Sequence, residues 1–369
     1  MTALQVQWLE DAAGLHAHAD ALAALAADAI EPNVFHEPWM LLPALQRFDH
    51  DAVRIALVWR EDGTLAALFP FQWHPRKGLR PPFLSLWRHI YCFLGTPLVH
   101  RDQPDATLAA LLDSIAQGRA PARCVQLDEI TADGAFARTL AAVLRSRPGW
   151  RQHRDLRQRA WLDLAGDRQT EPAFSARHLK DLRRKRRKLE QAGTLAVVRL
   201  GADDDIAPWL DEFLRLEASG WKGRAGTALG STPADAAFFR RIAESAHRQH
   251  RLHLLALTLD GRAVAMQCDF FADDGGFAFK VAYDEAHAAT SPGLQLELES
   301  MPRLAAVPAL AWMDSCAAPD HPLMNRLWRG RRMLADQWLA YGNGLPALWL
   351  LQLRWRRALG ARVRRWRAR

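Results

Sequence analysis

The stretch "VAMQCDFFADDGGFAFKVAY", Val264–Tyr283, constrains the fold more than any other part of the chain. Two runs of alternating apolar residues flank a short polar turn, the pattern of an antiparallel hairpin. With Ala272–Gly275 as the loop, Phe271 lies opposite Gly276. Val264, Met266, Cys268 and Phe270 then share an apolar face with Phe277, Phe279, Val281 and Tyr283. A slip of one residue would reverse that face, so the register is tightly specified. The other face carries Gln267 and Asp269 from one strand and Ala278, Lys280 and Ala282 from its partner. In this register Gln267 faces Lys280, and Asp269 is diagonal to it. Polar groups flanked by small alanines suit a ligand-binding face; a solvated surface pair is the plainer alternative.

The hairpin feeds "DEAHAATSPGLQLELES", Asp284–Ser300. Thr290 or Ser291 can cap a helix, Pro292 suits its first position, and Gly293 opens the first turn to a ligand. N–H groups near Gly293 and Leu294, with the helix dipole, favour an anion. Leu294, Leu298 and Met301 form the stripe that packs the helix on the sheet. An ordinary helix start is the alternative reading of the same residues.

The rest of the chain reads as mixed α and β. The first half predicts helices at Leu15–Ile30, Thr107–Gln117 and Ala135–Arg145. It predicts a hairpin of Ala52–Arg60 with Leu65–Trp73, and strands at Arg123–Glu129 and Arg159–Leu164. The second half predicts helices at Ser175–Gln191, Asp205–Ala218 and Ala234–Gln249. Strands Leu195–Leu200 and Leu252–Leu259 accompany the opening hairpin. A helix from Pro292 stopped by Pro302, a strand Ala309–Met313 and a helix Pro322–Leu339 follow. At 369 residues two domains are expected, 1–166 and 167–343, with a tail at 344–369.

The net charge of +8 is local. Arg354–Arg369 holds eight arginines and no acid, and without it the chain is near neutral. Leu348, Leu351, Trp355, Leu359, Val363 and Trp366 fall on one helical face of that tail. A basic amphipathic helix bearing tryptophan suits an anionic membrane surface; an acidic partner or the protein's own body is the alternative. The other basic block, Arg177–Lys188, reads as a solvated helix face, and nucleic acid is not expected there. The four cysteines are scattered singly, which gives neither a disulfide framework nor a metal spacing. No signal-peptide pattern and no long uncharged apolar run occur, so the expected location is cytoplasmic, peripheral on the inner face of the membrane.

The order of elements in the second half resembles the GNAT acyltransferase fold. Local sequences "SGWKGRAGTAL" (Ser219–Leu229), "KVAYD" (Lys280–Asp284), "SPG" (Ser291–Gly293) and "MDSCAAPDHPLMNRLW" (Met313–Trp328) resemble its CelD-type, cellulose-biosynthesis-associated branch. That branch is similar to the FemAB aminoacyltransferases, in which two GNAT-like domains occur in tandem. "ARHLKDLRRKRRKLEQAG" resembles the helix opening their second domain, and "EPNVFHEPWML" (Glu31–Leu41) resembles the start of the first. The resemblance implies an α/β (α+β) fold of two tandem GNAT-like domains, each a mixed, mostly antiparallel sheet flanked by helices. It also implies an acyl-CoA co-substrate, acetyl-CoA first, with no metal. The family's phosphate loop, R/Q-x-x-G-x-G/A, is reduced here to one glycine, which leaves a longer acyl-CoA or an aminoacyl-tRNA open as donor.

Direct acyl transfer needs a base for the acceptor, a donor for the thioester oxygen and an acid for the leaving thiolate. Asp269 is the candidate base and Lys280 the candidate oxyanion donor. Asp314 and His321, at a strand end and in the loop after it, are candidates for acid–base work, with Asp320 as a second partner for His321. A nucleophilic role for Cys316 is not expected. Tyr283, Ser291, Gly293 and Leu294 are placed at the donor, and Glu217, Trp221, Lys222 and Gln267 at the acceptor. The implied reaction is N- or O-acyl transfer to an envelope-, polysaccharide- or lipid-related acceptor. The alternatives are a non-catalytic partner of a membrane polysaccharide machine and a tRNA-dependent aminoacyltransferase.

Overall fold

In a computed structural model, residues 4–48, 52–165, 172, 174–353 and 355 are described. The chain forms two compact units that interleave in sequence. Unit 1 is Met1–Pro38, Phe48–Arg157 and Met333–Arg369, and unit 2 is Trp39–Arg47 and Gln158–Arg332. The boundary expected near Gly166 lies outside the described residues.

Unit 1 uses β1 (Leu4–Leu9), α1 (Ala19–Ala27), α2 (Pro38–Phe48), β2 (Val53–Arg60), β3 (Leu65–His74), β4 (Phe83–Leu86), β5 (Leu98–Val99), α3 (Pro104–Ala116), β6 (Cys124–Thr131), α4 (Ala135–Arg145) and the start of β7 (Trp150–Asp163). Its sheet runs β1-β2-β3-β4-β6 and is mostly antiparallel, with β4 and β6 parallel. The inner faces of α3 and α4, among them Leu108, Leu112, Phe136 and Leu140, close one core with the sheet. The part of α2 from Trp39 to Arg47 belongs to unit 2, where Arg47 Nε lies 3.0 Å from Asp235 and Trp39 packs on Phe270.

Unit 2 adds α5 (Ala176–Ala192), β8 (Leu195–Arg199), α6 (Ala207–Ser219), α7 (Trp221–Arg224), α8 (Pro233–Arg248), β9 (Leu252–Leu259), β10 (Arg262–Ala272), β11 (Gly275–Tyr283), α9 (Pro292–Ala305), β12 (Trp312–Asp314) and α10 (Met324–Leu327). Its sheet order is β7-β12-β11-β10-β9-β8, mixed and mostly antiparallel. Side-chain caps set two helix starts: Ser175 accepts from His178 N, and Thr232, followed by Pro233, accepts from Asp235 N.

Strand β13 (Gly330–Tyr341) stands where a helix over Pro322–Leu339 is expected, with only α10 helical there. Its residues from Leu334 onward pair with β6 in unit 1, and Leu334, Ala335, Leu339 and Ala340 are buried. Helix-forming residues yield here to the sheet they complete. Pro302 likewise does not stop α9, which continues to Ala305.

Candidate active site

The hairpin closes as expected at its tip, with Phe271 opposite Gly276 and Asp269 opposite Ala278. A bulge between Cys268 and Asp269 then moves the register by one, so Lys280 faces Cys268 and not Gln267. Successive residues of β10 point to opposite faces, so Lys280 is on the far side of the sheet from Gln267 and Asp269. The single polar face expected from the sequence is therefore split in two.

A gap in the sheet brings the two sides together. β11 and β12 run parallel and pair at only three positions, Gly275–Trp312, Gly276–Met313 and Phe277–Asp314. The pairing is close, because a Cβ on Gly275 would overlap the Trp312 ring. From Ala278 onward β11 parts from the chain that follows β12. A cleft of about 520 Å³ opens there, reached by Lys280 and Lys222, by Asp269 and Glu297, and by His321.

On the α6 side, Lys280 Nζ donates to Glu217 Oε1 at 2.8 Å. Lys222 Nζ donates to the carbonyl of Val281 at 2.9 Å and lies 3.4 Å from the same Glu217 oxygen. Glu217 is buried, and its other oxygen accepts from Leu229 N at 2.8 Å. Burial pulls the Lys222 ammonium below its ordinary pKa, against the pull of Glu217. Trp221 is half exposed at the rim.

On the α9 side, Asp269 Oδ2 accepts from Gln267 Nε2 at 2.8 Å and lies 3.3 Å from His253 Nδ1. Burial raises the Asp269 carboxyl above its ordinary range. Beside it is Glu297, a residue the sequence reading passes over, pushed up to about 8 by burial first and by the Asp269 charge second. Its sequence signal was available: Glu297 is one turn beyond Gly293 on the α9 face that also buries Leu294 and Met301.

The start of α9 differs from expectation in two respects. No side chain caps its first turn. Ser291 adopts a left-handed backbone, φ 55°, and its Oγ accepts from Lys185 Nζ of α5 at 3.1 Å. That conformation is uncommon for serine and is held here before a proline. The missing Gly293 side chain points at Val281 and Tyr283, 3.4 and 3.5 Å from a built Cβ, so close helix–strand packing is one reason for this glycine. Tyr283 and Leu294 do border the cleft. The same conformation recurs in unit 1, where Gln103, φ 56°, precedes Pro104 at the start of α3. The residue that follows there is Asp105, where α9 has Gly293.

Asp314 does not border the cleft. It is buried between Arg159 Nη2 at 2.6 Å and Arg332 Nη1 at 2.7 Å. Burial opposes its ionisation, but the two guanidinium charges prevail and hold its pKa below the ordinary range. Its expected pairing with His321 is absent among the described residues, as is that of Asp320. His321 borders the cleft and its Nδ1 accepts from Met324 N at 3.1 Å, which puts the proton of the neutral ring on Nε2. Burial raises the Cys316 thiol well above its ordinary pKa, so no thiolate nucleophile is prepared there.

Residues 176–321 match the acetyltransferase (GNAT) domain family. Over this segment the chain is similar to GNAT acetyltransferase domains. No curated protein sequence matches the chain. The crystal structure of FemX superposes with a TM-score of 0.57 at 11% identity, covering 88% of this chain and 96% of that one. A conserved protein of unknown function from Bacteroides thetaiotaomicron gives 0.55 at 11% identity, over 91% and 100%. The C-terminal domain of a putative lysylphosphatidylglycerol synthetase from Agrobacterium fabrum gives 0.51 at 13% identity, over 91% and 95%. These likenesses span both units and concern the fold alone, mixed sheets flanked by helices.

Proposed function

We propose that the GNAT domain of unit 2 transfers an acyl group directly from an acyl-CoA, acetyl-CoA or a longer chain, to an acceptor related to the envelope, a polysaccharide or a lipid. The observation that carries this reading is the cleft where β11 and β12 part, open at one end to the uncapped start of α9 and lined at the other by Lys280 and Lys222.

The residues suit the donor: N–H groups of Gly293 and Leu294 with Lys185 nearby would hold its phosphates. The donor supplies the thioester that is split. Lys280 and Lys222 would stabilise negative charge developing on the acyl oxygen, Asp269 would serve the acceptor's proton, and His321 Nε2–H would protonate the leaving sulfur. Unit 1 is assigned no donor, because Asp105 puts a carboxylate in the first turn of α3. The resemblance to the CelD-type branch supports this acceptor class, and a structural neighbour named as a putative lysylphosphatidylglycerol synthetase supports including a lipid in it.

A donor carried on nucleic acid is the second reading. It is favoured by α5, whose exposed Arg183, Arg184, Arg187 and Lys188 continue from the Lys185 contact with Ser291. Calorimetric titration with acetyl-CoA, longer acyl-CoAs and tRNA tests the two together.

The C-terminal segment is proposed to rest on an anionic membrane surface. Residues 345–353 are helical and bury Leu350 in unit 1, while Leu348, Leu351 and Trp355 are exposed. Leu359, Val363 and Trp366 lie outside the described residues. No helix among the described residues is long and apolar enough to cross a membrane.

A further inference from the structure

Lys222, one of six lysines in the chain, is held in the cleft wall as a partly buried amine. Its backbone carbonyl accepts from Thr227 N at 2.8 Å and Ala228 N at 3.2 Å. Glu285 anchors the same short helix, accepting from Trp221 N at 2.6 Å and Arg224 Nη2 at 2.7 Å. Lys222 Nζ has two acceptors, the carbonyl of Val281 at 2.9 Å and Glu217 Oε1 at 3.4 Å. An ammonium carries three donors, so one of its protons has no protein acceptor there. A neutral amine carries two, which these acceptors take, and its lone pair is left to the cleft. The charges around the nitrogen favour that form. Glu217 spends one oxygen on Leu229 N, and Lys280 takes the other at 2.8 Å, so two ammoniums share one carboxylate. Glu285 is paired with Arg224, and burial keeps Cys268 on β10 a neutral thiol. Asp269 and Glu297 stand on the other side of the sheet, and His321 borders the cleft from the loop after β12. Burial, and after it the Lys280 charge, draw Lys222 toward the neutral amine against the pull of Glu217.

We propose that Lys222 is a modification site, taking the acyl group onto its own Nζ when no acceptor occupies the cleft. The proposal rests on the reading of this cleft as an acyl-transfer site, which puts the thioester carbonyl beside the two lysines. The lone pair of the neutral Nζ forms the bond to the acyl carbon, and the carbon–sulfur bond breaks. One N–H proton passes to Glu217 Oε1 and on to solvent, and the departing thiolate takes a proton from solvent. One amine and one thioester become one amide and one thiol, with no net proton. Lys280 makes the closer contact with Glu217 and is not the expected target. The acylated side chain carries no charge and occupies the cleft, so the modified protein should transfer more slowly until the acyl group is removed.

Labelling with trace acetic anhydride, mapped by mass spectrometry with Nα-acetyllysine in the same tube, reads the amine without any acyl-CoA. Lys222 should label along a pH profile that levels off below that of the free amino acid, and Lys280→Met should move the profile upward. Incubation with acetyl-CoA or octanoyl-CoA, without acceptor, should place one acyl group on Lys222 at least about tenfold faster than on Lys77, Lys180 or Lys188. The label should survive hydroxylamine, which would strip a thioester from Cys316. Lys222→Arg should gain no acyl group from either acyl-CoA, and melting curves establish that each variant is folded. An anhydride profile that coincides with that of the free amino acid, or acyl groups spread evenly over the lysines, overturns the proposal. Failure of wild type to bind either acyl-CoA would count against the acyl-transfer reading, whereas a coincident anhydride profile counts against Lys222 alone.

Discussion

The Lys280 ammonium stands 2.8 Å from the Glu217 carboxylate, and Lys222 reaches the same oxygen from 3.4 Å. One buried carboxylate thus orients two ammoniums at the cleft wall. Removing it leaves two partly buried like charges, so Glu217→Ala should destabilise by about 3–5 kcal/mol. A lower urea midpoint at constant m-value reads this. Lys280→Met keeps the Lys222 contact and should cost less stability. It should lower acyl transfer by about 10²–10³-fold, measured as thiol release. A full-rate Lys280→Met enzyme would remove the oxyanion role.

Asp314 neutralises Arg159 and Arg332 at a position without solvent. Asp314→Asn should therefore destabilise by about 3–5 kcal/mol, with transfer per folded molecule little changed. Thermal melting set against active-site titration separates the two effects. A stable variant with impaired turnover would return Asp314 to the catalytic set.

The raised carboxyl of Glu297 gives stability a definite slope with pH. Its folded pKa, about 8, lies above the ordinary value of 4.5, so the folded state binds the proton more tightly. Its stabilising contribution is full below the unfolded value and is lost as pH rises through the folded one. Glu297→Gln removes that loss, so its melting temperature should exceed that of wild type by a margin that widens from pH 5 to about pH 8. Parallel melting-temperature curves across that range would contradict the assignment.

The exposed face of residues 345–353 offers a test of the membrane contact. Full-length protein should co-sediment with phosphatidylglycerol vesicles and not with neutral ones, and salt should weaken it. Replacing Leu348, Leu351 and Trp355 by serine should reduce binding at least about tenfold, since each removes apolar area from the interface. Equal sedimentation of the triple variant would sink the idea.

Much of unit 2 was legible because periodicity and turn chemistry agree there. β9 falls at its expected bounds, and the hairpin tip has its expected register. The bulge was not legible. Alternation of residue types continues smoothly through Cys268 and Asp269, and the extra residue is set by the strands on either side. That single residue sent Lys280 to Glu217 and left Asp269 with Glu297. Glu297 itself reads as one of two acids on an ordinary helix, since Glu297 and Glu299 look alike in sequence. Only packing distinguishes them: Glu299 pairs with Arg186 and Arg303, and Glu297 turns inward. Asp314 illustrates the reverse case. Its neighbours in sequence suggest chemistry, while its partners come from Arg159 and Arg332, remote in the chain.

The start of α9 is proposed to receive the anionic end of an acyl donor. Calorimetric titration of acetyl-CoA into wild type and Ser291→Asp tests it most directly, because aspartate tolerates the left-handed backbone at this position while adding a negative charge. The account predicts one site per chain in wild type and at least about a tenfold loss in Ser291→Asp, with an unchanged melting temperature. Equal affinity in the two proteins would contradict it.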